Sequence, residues 1–124
     1  MNKELREFLE AVPKSMVDMR SQWFRQGHLN VYVRRGFTYL SRDEICVCVT
    51  LSSCEVTDRK YLGKGNAKKL LPEFEAFVKG LGYRAIVAEN IIPPQLRDFM
   101  ARNGYTDFNR GQTADLTSTL IKML

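Results

Sequence analysis

The sequence predicts an α/β fold, a mixed β-sheet flanked by helices on both faces. Three observations point to it. Residues 45 to 51, from Ile45 to Leu51, are apolar on both sides of their alternation, the mark of a central strand. Residues 67 to 81 carry Ala67, Leu70, Leu71, Phe74, Phe77, Val78 and Leu81 at the i, i+3, i+4, i+7 spacing that paints one face of a helix. A basic, glycine-bearing turn joins the two, and strand-like and helix-like segments alternate after it. With 124 residues, 44% hydrophobic composition and no biased tract, the chain is read as one ordered domain over 1–124.

Residues 2 to 11 read as a helix with Leu5, Phe8, Leu9 and Val12 on one side, broken by Pro13. The spacing of Met16, Met19, Trp23 and Phe24 predicts a second helix from Ser15 to about Gln26, ended by Gly27. Residues 29 to 40 alternate around Gly36 and read as two short strands or as one strand bent at the glycine. The central strand runs on through Ser52, Ser53 and Cys54 to Val56. Gly80 and Gly82 end the core helix. Arg84 to Asn90 is a short buried strand, and the next helix begins near Pro94, since proline suits a first helical position. Leu96, Phe99 and Met100 form its inner face and Asn103-Gly104 caps it. Tyr105 to Gln112 is irregular, and Leu116 to Leu124 is a closing strand.

The turn carries the chemistry. Gly63 and Gly65 open backbone angles closed to other residues and let a ligand approach the main chain. A helix beginning just after Gly65 would offer unpaired N–H groups and a dipole that favours an anion. Arg59, Lys60, Lys64, Lys68 and Lys69 add five cations with no acid among residues 59 to 69, so the expected guest bears phosphate. Pro72 leaves two alternatives: the helix is kinked there, or it starts at Pro72 and the turn is a longer loop.

The formal charge of +5 invites a nucleic-acid reading, but much of the excess sits in this cluster, and only Tyr61 supplies an interleaved aromatic. A single histidine, His28, and three cysteines without ligand spacing give no metal site. Cys46, Cys48 and Cys54 are read as reduced, buried thiols. The charged N-terminus and the lack of an apolar run of about 20 residues imply a cytoplasmic protein with no membrane span. An exposed edge strand could support a homodimer.

The segment Gly63-Lys64-Gly65-Asn66-Ala67-Lys68-Lys69-Leu70-Leu71, followed without a gap to Leu81-Gly82-Tyr83, resembles the acetyl-coenzyme A pyrophosphate loop and helix of the GNAT (GCN5-related N-acetyltransferase) superfamily. The family pattern is Arg or Gln, two residues, Gly, one residue, then Gly or Ala, and it falls on Leu62, Gly65 and Ala67. Residues 84–92, 94–103, Asn103-Gly104-Tyr105 and Leu116–Leu124 resemble the family's next strand, next helix, helix-ending Gly-aromatic and closing strand. The resemblance implies a GNAT-like fold that lacks the usual first strand, with acetyl-CoA as co-substrate and an amine of a small molecule or protein as acceptor. It assigns the pyrophosphate to backbone amides of Gly63, Lys64, Gly65, Asn66, Ala67 and Lys68, and pantetheine to the main chain at Val56 and Thr57.

Three positions depart from the family pattern: Leu62 replaces Arg or Gln, Pro93 stands where an asparagine often follows the fifth strand, and Met100 replaces the tyrosine that often protonates the coenzyme A thiolate. Glu55 and Glu89 are the candidate bases; Tyr105, Tyr39 and Cys54 are the candidate acids. Two function classes follow: an acetyl-CoA-dependent N-acetyltransferase, or a catalytically lapsed GNAT-like domain that binds a protein or nucleic acid.

Overall fold

A computed structural model describes residues 1–90, 94–108 and 119–124. The chain runs α1 (Lys3–Glu10), β1 (Arg20–Gln26), β2 (Leu29–Tyr39), β3 (Ile45–Val56), a 3-10 turn (Arg59–Tyr61), α2 (Asn66–Gly80), β4 (Ala85–Ala88), α3 (Pro94–Arg102), β5 (Thr106–Asp107) and β6 (Leu120–Met123). The strands form a six-stranded sheet in the order β1-β2-β3-β4-β6-β5, mixed because β3 and β4 are parallel and the other pairs antiparallel.

α1 is capped by Asn2, whose Oδ1 accepts the Leu5 N–H at 3.0 Å, and it buries Leu5 and Leu9. It is the first element of the described residues. The helix predicted from Ser15 to Gln26 is not formed. Residues 20 to 26 are instead the edge strand β1, paired in register with β2 from Arg20↔Arg35 to Gln26↔Leu29. Met16, Met19 and Trp23, read as an inner helical stripe, are exposed, and Phe24 alone of the four is buried. The competing signal was Gln26-Gly27-His28-Leu29, a two-residue hairpin turn in which Gly27 takes φ 58°.

β2 is one strand. Its irregularity falls at Tyr32/Val33, where the register against β3 shifts and leaves Ser52 as an extra residue, and not at Gly36. Gly36 has a packing reason: a Cβ there would lie 3.2 Å from Met19 Cγ across the strand pair.

α2 begins immediately after Gly65 and contains Pro72, which settles the alternatives left by the sequence. Pro72 lies on the exposed side, where it removes one helix bond without disturbing buried Leu71 and Phe74. Gly82 (φ 95°) and Gly104 (φ 94°) end α2 and α3 in the left-handed conformation, each followed by a tyrosine whose N–H reaches back into the helix, to Val78 O and Met100 O. The strand expected over 84–92 is β4, its last positions lying outside the described residues; Leu116 and Pro93 also lie outside them. β5 was not foreseen.

The main core joins Leu5 and Leu9 of α1, Phe24, Val31, Val33, Val49, Ile86 and Ala88 of the sheet, Leu71, Phe74 and Val78 of α2, and Met100 of α3. All three helices thus contribute to one core against the sheet. On the other face Cys46, Cys48, Ala85, Val87 and Ile121 form a second cluster with Leu40 and Phe108 against it. None of the three cysteines is disulfide-bonded; Cys46 and Cys48 are buried as expected, whereas Cys54 is exposed.

Candidate functional site

β3 and β4 pair only from Cys48↔Ala85 to Leu51↔Ala88, with one further bond from Glu89 N–H to Leu51 O at 2.8 Å. Beyond that point β3 continues to Val56 while β4 ends, so the two strands part and an apolar cleft opens between them. Leu51, Cys54 and Ala88 from the sheet, Ala67, Leu70 and Phe74 from α2, and Leu96 and Met100 from α3 line it. Met100, on the position where the resembled family often has its tyrosine, does reach the cleft wall and is buried there.

The open edge of β3 follows from its pairing with β2. Thr57 N–H donates to His28 O at 2.9 Å, and the register runs Leu29↔Val56, Asn30↔Glu55, Val31↔Cys54. Antiparallel pairs alternate between bonded and non-bonded. The main-chain groups of Cys54 and Val56 therefore point away from β2, along the edge that β4 has left. The Val56 amide is thus unpaired by β2, whereas the Thr57 amide is already bonded to His28 O. Cys54 exposes its main chain along the same edge, which the period-2 pairing rule could have found once the β1–β2 hairpin was recognised.

At the mouth of the cleft, Gly63 (φ 71°) and Gly65 (φ 75°) are both left-handed, and a Cβ on either would meet nothing within 4 Å. Gly65 is the N-cap of α2 and makes no side-chain cap; its carbonyl accepts the Lys69 N–H at 3.0 Å, the first bond of the helix. The N–H groups of Asn66, Ala67 and Lys68 precede that bond and have no intrahelical acceptor. Lys68 reaches over the Phe99 ring of α3, its Nζ 5.6 Å from the centroid, which sets a cation across the cleft mouth. Leu62, in the place of the family's Arg or Gln, is exposed and brings no charge. The residues predicted to hold a pyrophosphate, Gly63 to Lys68, thus lie together in the turn and first residues of α2.

Glu89 lines the cleft at the end of β4. Its Oε1 accepts the Ser52 hydroxyl at 2.8 Å and Arg34 Nη2 at 3.3 Å, while Oε2 has no partner among the described residues. Asn90, at φ 58°, spans the gap by donating from Nδ2 to Ser52 O at 2.9 Å. Ser52, Arg34 and Asn90 were missed by the sequence reading. An asparagine closing a strand carried the only signal, since Asn tolerates the left-handed conformation.

The other catalytic candidates are not brought to this point. Glu55 is exposed and pairs with its neighbour Ser53, whose Oγ lies 3.5 Å away. Tyr105 is buried and donates to Glu75 Oε1 at 2.8 Å, beside the Lys122–Glu75 ion pair at 2.8 Å; burial first, and that bond second, drive its pKa far upward. Tyr39 is exposed near the far end of β2. The Cys54 thiol does face the cleft, although the residue as a whole is exposed; desolvation against the apolar wall, aided by the Glu55 carboxylate, pushes it up to about 11. No metal-binding cluster and no helix long and apolar enough to cross a membrane occur among the described residues.

By sequence alone the chain matches no family model and no curated protein. Solved structures do match. An acetyltransferase from Bacillus cereus superposes with a TM-score of 0.54 at 17% identity, over 99% of this chain and 87% of that one. A bacterial toxin gives 0.58 at 16%, over 98% and 78%. A mutant AtaT toxin bound to the C-terminus of the antitoxin AtaR and to acetyl-CoA gives 0.55 at 14%, over 77% of this chain; the chain spans 57% of that toxin's length. The chain accordingly shares the overall fold of these solved structures, a GNAT-like mixed α/β fold.

Proposed function

We propose that the chain is an acetyl-CoA-dependent N-acetyltransferase acting on an amine. One observation carries this reading: a left-handed glycine turn, rich in lysine, delivers free helix N–H groups to the mouth of an apolar cleft that has a carboxylate at its inner end. The pyrophosphate is held at Gly63 to Lys68, and the pantetheine arm lies along Cys54 and Val56 as an added strand. The AtaT complex with acetyl-CoA supports this donor.

The acyl step then asks little of the protein. The amine nitrogen attacks the thioester carbonyl and forms the N–C bond. Glu89 accepts the proton the nitrogen loses, on Oε2, directly or through one water. The C–S bond breaks and its electron pair leaves with sulfur. Cys54 is a poor proton donor here: at about 11 it lies well above the ~8.5 of an ordinary thiol. Tyr105 is out of reach, so the thiolate departs unprotonated and takes its proton from water.

Calorimetric titration with acetyl-CoA, repeated on Gly65→Glu, tests the reading. The substitution sets a carboxylate at the anion site, at a backbone cost of roughly 1–2 kcal/mol because φ is 75°. Micromolar binding to the wild type, lost in a variant that still melts cooperatively, is the expected outcome. A wild type that binds no acetyl-CoA would sink the enzyme and leave the lapsed, macromolecule-binding domain.

A further inference from the structure

The phosphate turn is bracketed by contacts with residues outside it. His28, in the β1–β2 hairpin, stacks flat on Tyr61 of the 3-10 turn, with ring centroids 3.6 Å apart and planes 11° from parallel. The His28 carbonyl also takes the Thr57 N–H at 2.9 Å, tying the hairpin to the end of β3. Tyr61 in turn passes the restraint on: its carbonyl accepts Asn66 Nδ2 at 3.3 Å, and Asn66 is the first residue of α2. On the near side the 3-10 turn is capped by Asp58, whose side chain accepts the Lys60 N–H at 3.1 Å. The four residues between these anchors, Leu62 to Gly65, include two left-handed glycines at which a Cβ would meet nothing within 4 Å. Their geometry depends on the anchors at either end.

We propose that His28 is a positioning residue for phosphate binding: through its stack on Tyr61 it holds the turn between the 3-10 turn and α2 in its anion-accepting shape. This rests on the acetyl-CoA reading above and deepens it. The role is one of shape and not of charge, because a flat ring is what the stack uses. A ring lost from an exposed hairpin leaves the core intact, but it frees Tyr61 and with it the carbonyl that orients Asn66. Ordering the turn is then deferred to ligand binding, which weakens affinity for the group the turn holds.

The test compares two probes, acetyl-CoA and acetyl-pantetheine, which shares the thioester arm but has no pyrophosphate. Both are titrated into the wild type, His28→Ala, His28→Phe and Tyr61→Ala, with thermal melts as a folding control. We expect His28→Ala and Tyr61→Ala to weaken acetyl-CoA by roughly two- to tenfold, the scale of one aromatic pair, and to leave acetyl-pantetheine unchanged. His28→Phe should restore acetyl-CoA binding. Wild-type binding that survives unaltered in His28→Ala overturns this inference alone, as does an equal loss for both probes. A wild type that binds neither probe overturns the underlying acetyl-CoA reading.

Discussion

In the proposed reaction a single carboxylate, Glu89, takes the proton. One oxygen is committed twice, to Ser52 and Arg34, which fixes the plane of the group; the other has no partner among the described residues. Glu89→Gln keeps the shape and an acceptor oxygen but has no basic oxygen to take a proton. General-base catalysis is worth about 10²–10⁴ in rate, so kcat should fall within that range while acetyl-CoA affinity stays within about twofold. Single-turnover acetylation of any accepted amine, read beside a calorimetric titration, separates the two. An unchanged kcat would mean the amine arrives already neutral and needs no base. The carboxylate was legible in the sequence because it follows a buried strand. Its partners were not: Arg34 and Ser52 come from strands far away in sequence, and a bulge sets where Ser52 falls.

At the scale of elements, the glycine turn and α2 were readable because their information is local: periodicity, a basic run and two glycines. The edge strand β1 was misread because its partner decides it. Met16, Met19, Trp23 and Phe24 have helical spacing, yet the hairpin at Gly27 supplies a row of backbone bonds from β2 that outweighs the modest intrinsic preference for a helix. A contact between elements offers a pH test. Tyr83, just after α2, donates its hydroxyl to Leu9 O of α1 at 2.8 Å. Burial, only partly offset by Arg35, pushes its pKa from 10.0 up to about 12. A raised folded-state pKa means the unfolded chain loses its proton first. Stability from this group is complete below pH 10 and declines as pH rises from 10 to 12. Tyr83→Phe removes the bond and strands a buried carbonyl, costing about 1–2 kcal/mol at neutral pH. It also removes this source of alkaline decline. Urea unfolding from pH 8 to 12 should therefore show the gap between wild type and variant closing above pH 10; parallel curves would show that the hydroxyl is not held protonated.

For the molecule as a whole, the question is whether the charge of +5 serves the cofactor or a larger partner. Five of the cations lie at Arg59, Lys60, Lys64, Lys68 and Lys69, in the turn before α2 and its first residues, and none of these five forms an ion pair with an acid among the described residues. Their attraction for a phosphate-bearing ligand acts through solvent, where the Debye length falls from about 10 Å at 0.1 M salt to about 3 Å at 1 M. If the cluster serves acetyl-CoA, raising sodium chloride from 50 to 500 mM should weaken that ligand by roughly tenfold, on the scale of a few partly screened charge contacts. Acetyl-pantetheine, uncharged and held by the cleft and the open edge of β3, should be nearly indifferent to salt, so the ratio of the two affinities cancels any general effect of salt on the fold. Charge reversal at Lys64 and Lys69 should flatten the acetyl-CoA slope. A slope already flat in the wild type would mean that the backbone amides alone hold the pyrophosphate. The basic face would then be free for a polyanion, and the lapsed, nucleic-acid-binding alternative would become the one to pursue, with the same salt series run on single-stranded oligonucleotides.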